Sequence, residues 1–94
     1  MNSQLYSMDF QHPETAVPCV FMFDEAEELI SLEPCEPLCD QWGIDRNEEP
    51  YRETLALCDE WGKHRCSSVK EANRMIRKSF PDAWDDGVYF QEDD

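Results

Sequence analysis

The sequence predicts an α-rich α+β domain: three or four short helices packed with one or two short β-strands. Three observations lead there. Apolar residues recur at helical spacing over 51–61 and 69–80, with capping signals ahead of them. Two short β-prone runs, 19–23 and 88–90, lie far apart in the chain. Ninety-four residues, 12% of them aromatic, suffice for one small core. The chain therefore reads as a single domain, 1–94, with 1–17 as an extended arm and 91–94 as a mobile acidic tail.

Residues 1–17 show no sustained period and are punctuated by Pro13. After Pro18, the run Cys19-Val20-Phe21-Met22-Phe23 reads as a buried strand. Asp24 resembles an N-cap, and Glu27 completes a capping box. A helix is expected from there to Pro34, with Ala26, Leu29 and Ile30 on its apolar face. Pro37 suits the first turn of a second helix, which Gly43 closes. Asn47 caps a third, with Pro50 in its first turn and a stripe of Tyr51, Leu55, Cys58 and Trp61 ending at Gly62. Ser68 and Glu71 form a capping box for a fourth, whose stripe is Val69, Ala72, Ile76 and Phe80, and Pro81 stops it. Asp85-Asp86-Gly87 is a turn signal, and Val88-Tyr89-Phe90 is expected to pair with 19–23.

Charge carries most of the functional information. The chain holds 22 Asp and Glu against 8 Lys and Arg, a net charge of −14. Residues 1–62 hold 15 acids and two bases, Arg46 and Arg52; residues 63–80 hold six bases and one acid; residues 81–94 hold six acids. Solubility of a small domain needs a net charge of only about 2–8 units. The excess points to a strongly basic partner, and it disfavours direct contact with nucleic acid or an anionic membrane.

The five cysteines are odd in number, residues 1–12 have neither a basic n-region nor an apolar run, and the longest apolar stretch is too short to span a bilayer. The expectation is a reduced, cytoplasmic chain with thiols as small core residues. Cys35, Cys39, Cys58, His64 and Cys66 offer zinc-type ligands, but their spacing does not match the established knuckles, so no metal or cofactor is assigned. A cysteine nucleophile with His12 or His64 lacks any supporting context, and no phosphate loop or EF-hand loop is present. The expectation is no enzyme and no catalytic residue.

Leu38-Cys39-Asp40-Gln41-Trp42-Gly43 returns as Leu57-Cys58-Asp59-Glu60-Trp61-Gly62, identical at five of six positions. Two helix ends using one solution explains this more simply than a paired tryptophan surface. Lys70, Arg74, Arg77 and Lys78 share one helix face and read as internal counter-charge to the acidic body.

A short chain with a large acidic excess, no enzyme motif and no targeting signal resembles the small inhibitors that phages make against host nucleic-acid machinery. These include anti-CRISPR proteins and DNA-mimic anti-restriction proteins. The resemblance lies in size and composition over the whole chain and carries no residue roles with it. It implies a stoichiometric inhibitor, acting in the host cytoplasm, whose acidic helical face occupies the basic channel of a nucleic-acid-binding protein. The residues expected on that face are Asp40, Asp45, Glu48, Glu49, Glu53, Asp59 and Glu60, with Trp42 as anchor. The reading from a different class is a small adaptor or transcription-associated module, zinc-stabilised, that binds a protein through Trp42, Trp61 and the 68–80 helix.

Overall fold

The computed structural model describes residues 4–91. Strands β1 (Leu5–Gln11), β2 (Pro18–Asp24) and β3 (Leu29–Pro34) come first. Helices α1 (Glu36–Gln41) and α2 (Tyr51–Trp61) follow, then β4 (Lys63–Arg65), α3 (Val69–Ser79) and α4 (Pro81–Asp85). The strands form one antiparallel meander in the order β1-β2-β3-β4. The α-rich expectation with one or two strands is thus corrected to a balanced α+β domain built on a four-stranded sheet.

Period two makes the first hairpin. Tyr6, Met8 and Phe10 of β1 lie opposite Phe23, Phe21 and Cys19 of β2. The expected arm is therefore, over Leu5–Gln11, an edge strand. The loop is closed by the His12 N–H to the Val17 carbonyl at 3.0 Å and the Ala16 N–H to the His12 carbonyl at 2.7 Å.

The second hairpin replaces the helix expected after Asp24. The capping hydrogen bonds form: Asp24 Oδ1 accepts from the N–H groups of Ala26 at 3.0 Å and Glu27 at 3.2 Å. They close an Asx turn and not a helix. Glu28 turns the chain with φ of 58°, and β3 returns along β2. As a strand, Leu29–Pro34 buries Ile30 and Leu32 against the core. A helix would have spent that face partly on Ala26, which is exposed here.

α1 ends in a Schellman motif. The Ile44 N–H reaches the Cys39 carbonyl at 2.9 Å, the Gly43 N–H reaches Asp40 at 3.2 Å, and Gly43 has φ of 73°. Ile44 then packs with Cys39, Val17 and Tyr51 in a small second core. α2 begins one turn later than Asn47 would cap, and the Asn47 N–H instead donates to Asp45 Oδ1 at 2.8 Å. α2 ends at Gly62, whose φ of 71° and ψ of −151° are open essentially to glycine alone. That conformation delivers the chain directly into β4.

The main core lies between one sheet face and the helices. Phe10, Phe21, Phe23, Ile30 and Leu32 from the sheet meet Cys58, Ala72 and Ile76. α3 is capped as its sequence predicts: Ser68 Oγ accepts from the Glu71 N–H at 3.2 Å, and the Glu71 carboxylate accepts from the Ser67 N–H and hydroxyl, both at 2.6 Å. Those bonds hold the Glu71 carboxyl below its usual pKa. The expected pairing of 88–90 with 19–23 does not occur, because β1 and β3 already flank β2. Instead the buried Asn73 side chain donates to the Phe90 carbonyl and accepts from the Phe90 N–H, both at 2.8 Å. The acidic tail beyond Gln91 lies outside the described residues.

Replacing Asn73 by Ala should strand both backbone groups of Phe90 and cost about 1–3 kcal/mol in urea unfolding. The Phe90 amide should lose hydrogen-exchange protection before the sheet does.

Burial pushes the His12 imidazole below its ordinary 6.5, against the opposing pull of Glu14 and Glu53. The folded protein thus favours the neutral ring, and its contribution to stability is lost as pH falls through the unfolded value. The stability advantage of the native chain over His12→Gln should shrink from about pH 8 to pH 5 in parallel melts.

Candidate partner-binding surface

All eight residues expected on the acidic face are exposed. They occupy α1, the 43–50 loop and α2, and several have internal duties. Arg46 bridges Glu36 at 3.3 Å and Asp40 at 3.6 Å, fastening the loop to α1. Asp45 closes its own Asx turn. Glu49 Oε2 accepts from the Glu53 N–H at 3.0 Å, satisfying a first-turn donor of α2. Glu48, Glu53, Asp59 and Glu60 have no ion pair among the described residues.

The acids do not form a single face. Glu60 lies seven positions after Glu53, two turns of helix, so they share a row about 10 Å long. That row borders the loop after β1: Glu60, Trp61, His64, His12 and Glu14 line one groove of about 390 Å³. Asp59 is rotated about 100° from Glu60 and lies with Leu55 on the opposite flank of α2.

The position of Asp59 and Glu60 is electrostatically unfavourable. They occupy the last turn of α2, where free carbonyls make the helix end negative, and that turn contains no base. Asp40 stands in the last turn of α1, also without a base in that turn. Helix stability did not select these carboxylates.

The two tryptophans of the repeated hexapeptide diverge. Trp42 is 52% exposed at the end of α1. Trp61 packs edge-on against Phe21 at 5.7 Å, and its Nε1–H donates to Ser79 Oγ at 2.9 Å. Trp61 is half-buried, packed against the core while still lining the groove beside His64. The basic helix also differs from expectation: Lys70, Arg74, Arg77 and Lys78 are exposed, with no ion pair among the described residues. Arg77 lies over the Trp84 ring at 5.3 Å, and Trp84 meets exposed Tyr89 in a tilted contact at 4.9 Å. The helix is therefore no salt-bridged counterweight to the acidic body.

The thiols are structural in placement. Cys19, Cys39, Cys58 and Cys66 are buried, and Cys35 is half-buried. A hydrogen bond to Cys58 and burial push Cys19 up, while burial chiefly raises Cys39 and Cys66. Among the described residues no three His, Cys, Asp or Glu side chains converge as a metal-ligand set. Also among them, no helix is long and apolar enough to cross a membrane.

Sequence reasoning missed the apolar ground beside the acids. Leu55, expected on the core stripe, is 43% exposed, its place taken by Thr54. The Thr54 hydroxyl lies 2.8 Å from the Pro50 carbonyl and 2.6 Å from the Thr15 hydroxyl, which lets a polar residue be buried there. The chain matches no protein-family model, no curated protein and no solved structure.

Asp59→Lys and Glu60→Lys should each raise the melting temperature at low salt, because they complement the end of α2. The gain should shrink as salt rises, as differential scanning fluorimetry across ionic strengths would record.

Proposed function

We propose that this protein is a stoichiometric inhibitor that lays its α1–α2 acidic surface into the basic channel of a nucleic-acid-binding protein. This is the mode of the phage inhibitors that its size and composition resemble. The observation that carries the reading is the placement of Asp59 and Glu60 at the end of α2, which disfavours them. Carboxylates kept at a cost to stability serve something outside the fold. Glu53 and Glu60 add a fixed row on a rigid helix, and fixed charges steer a basic partner at little ordering cost. Exposed Trp42 supplies the aromatic anchor that steering alone lacks.

A second reading has one observation in its favour. The exposed cations of α3, with Arg77 over Trp84 and Tyr89 next to that ring, form an Arg- and aromatic-rich patch of the kind that protein interfaces use. An adaptor would bind through that patch and leave its partner's nucleic acid in place.

The test begins with affinity capture from the native host, followed by competition with the captured partner's nucleic acid. Mutual exclusion and a steep loss of affinity with salt are expected. Reversing Glu48, Glu53 and Glu60 to Lys should slow association much more than it speeds dissociation, while Trp42→Ala should mainly speed dissociation. A ternary complex of undiminished affinity would reject groove occupancy and favour the adaptor.

A further inference from the structure

The sheet has two faces, and only one is covered. The other presents Leu5, Val20, Met22 and Leu29, which belong to neither hydrophobic cluster, among the polar Ser7, Asp9, Ser31 and Glu33. β4 is too short to cover all of β3: its pairing ends at Ser31. Beyond that point α2 runs along the strand, since Leu32 and Glu33, which point to opposite faces, both line a groove with Leu55 and Asp59. The helix protects the edge and also walls the open face.

The result is a trough between α2 and the bare sheet. One part, about 440 Å³, has Met22 and Leu55 among its lining. The adjoining part, about 350 Å³, has Val20 and Tyr51. The two share Glu33, Pro34 and Leu55, so they adjoin along these residues. Their rims carry three carboxylates, Glu33, Glu36 and Asp59, against one ammonium, Lys63. Glu33, Asp59 and Lys63 have no ion pair among the described residues.

An apolar floor with an acidic rim selects its occupant by chemistry. A segment bearing aliphatic side chains fills the floor, and lysine or arginine beside them meets the rim. A second copy of this chain is disfavoured, because its net charge of −14 repels another. We propose that this trough docks a basic peptide segment of the partner through one or two aliphatic side chains. This rests on the acidic-surface reading and adds to it a contact that salt does not screen.

The test uses two synthetic peptides of equal charge, one alternating lysine with leucine and one alternating lysine with serine, titrated into the full chain by calorimetry and NMR. The leucine peptide should bind about tenfold or more tightly, from burial of its side chains. Its excess affinity should survive high salt, and it should shift the Val20 and Met22 methyl signals. Leu55→Gln, an exposed change to a good helix former, should remove the excess and leave serine-peptide binding intact. Equal affinities, no binding of either peptide, or an excess that persists in Leu55→Gln would each overturn the proposal. Self-association abolished by Leu55→Gln would also overturn it, by assigning the trough to a second copy. Lys substitutions at Glu48, Glu53 and Glu60 separate the two readings. If they leave both peptides' affinities unchanged while the leucine excess remains, the acidic-surface reading fails and the trough stands.

Discussion

Four aromatic rings from four segments meet in one place, and the helical layer depends on that meeting. Phe10 of β1 and Phe21 of β2 lie 4.8 Å apart. Phe80, between α3 and α4, sits 5.0 Å from Phe10 and 5.9 Å from Phe21. Trp61 of α2 closes the group at 5.7 Å from Phe21 and 6.4 Å from Phe80. Each such pair contributes about 0.5–1.5 kcal/mol beyond its buried area. The Trp61–Ser79 hydrogen bond ties α2 to α3 at the same point. A chain this short and this acidic has little core, so its few large rings fix where α2 and the α3–α4 junction sit, while α1 rests on the second cluster.

The elements legible in the sequence are those that local chemistry decides. Ser68, Glu71 and the stripe after them give α3 with its cap, because a capping box and a period of 3.6 agree. Pro37 and Gly43 bracket α1 for the same reason. Asp24 shows the limit of such signals. An Asp accepting from the N–H groups two and three residues on caps a helix or closes a hairpin equally well, and the residues downstream decide. Here Ile30 and Leu32, two apart, outweigh Leu29 and Ile30, which a helix would pair with Ala26. β4 was beyond local reading altogether. Lys63, His64 and Arg65 carry no strand preference and pair only because β3 offers them an edge.

The candidate site was legible as a quantity of charge but not as a shape. The acids named from sequence are exposed, yet the fold divides them among α1, the 43–50 loop and two flanks of α2, and three have partners inside the molecule. The repeated hexapeptide makes the point at its glycines. Gly43 closes a Schellman turn that leaves Trp42 in solvent, whereas Gly62 sends the chain into β4 with Trp61 held beneath. Near-identical local sequence gives opposite fates to the two tryptophans, because the chain leaves the two glycines along different paths.

These features bear on how such a surface is kept folded. Opposite charge is at hand in α3, yet its four cations form no ion pairs among the described residues. Beyond what Arg46 offsets at Glu36 and Asp40, ions in solution screen the self-repulsion of the acidic body over about 8 Å at physiological ionic strength. Residues closer than that, such as Asp59 and its neighbour Glu60, still feel each other. A basic partner that neutralises them removes this repulsion together with the penalty at the end of α2. The binding free energy then includes a share of strain already stored in the free protein. That share belongs to no contact in a complex, and under the proposed reading it ties affinity to stability: an acid moved to a more comfortable position would make the fold firmer and the binding of a basic partner weaker.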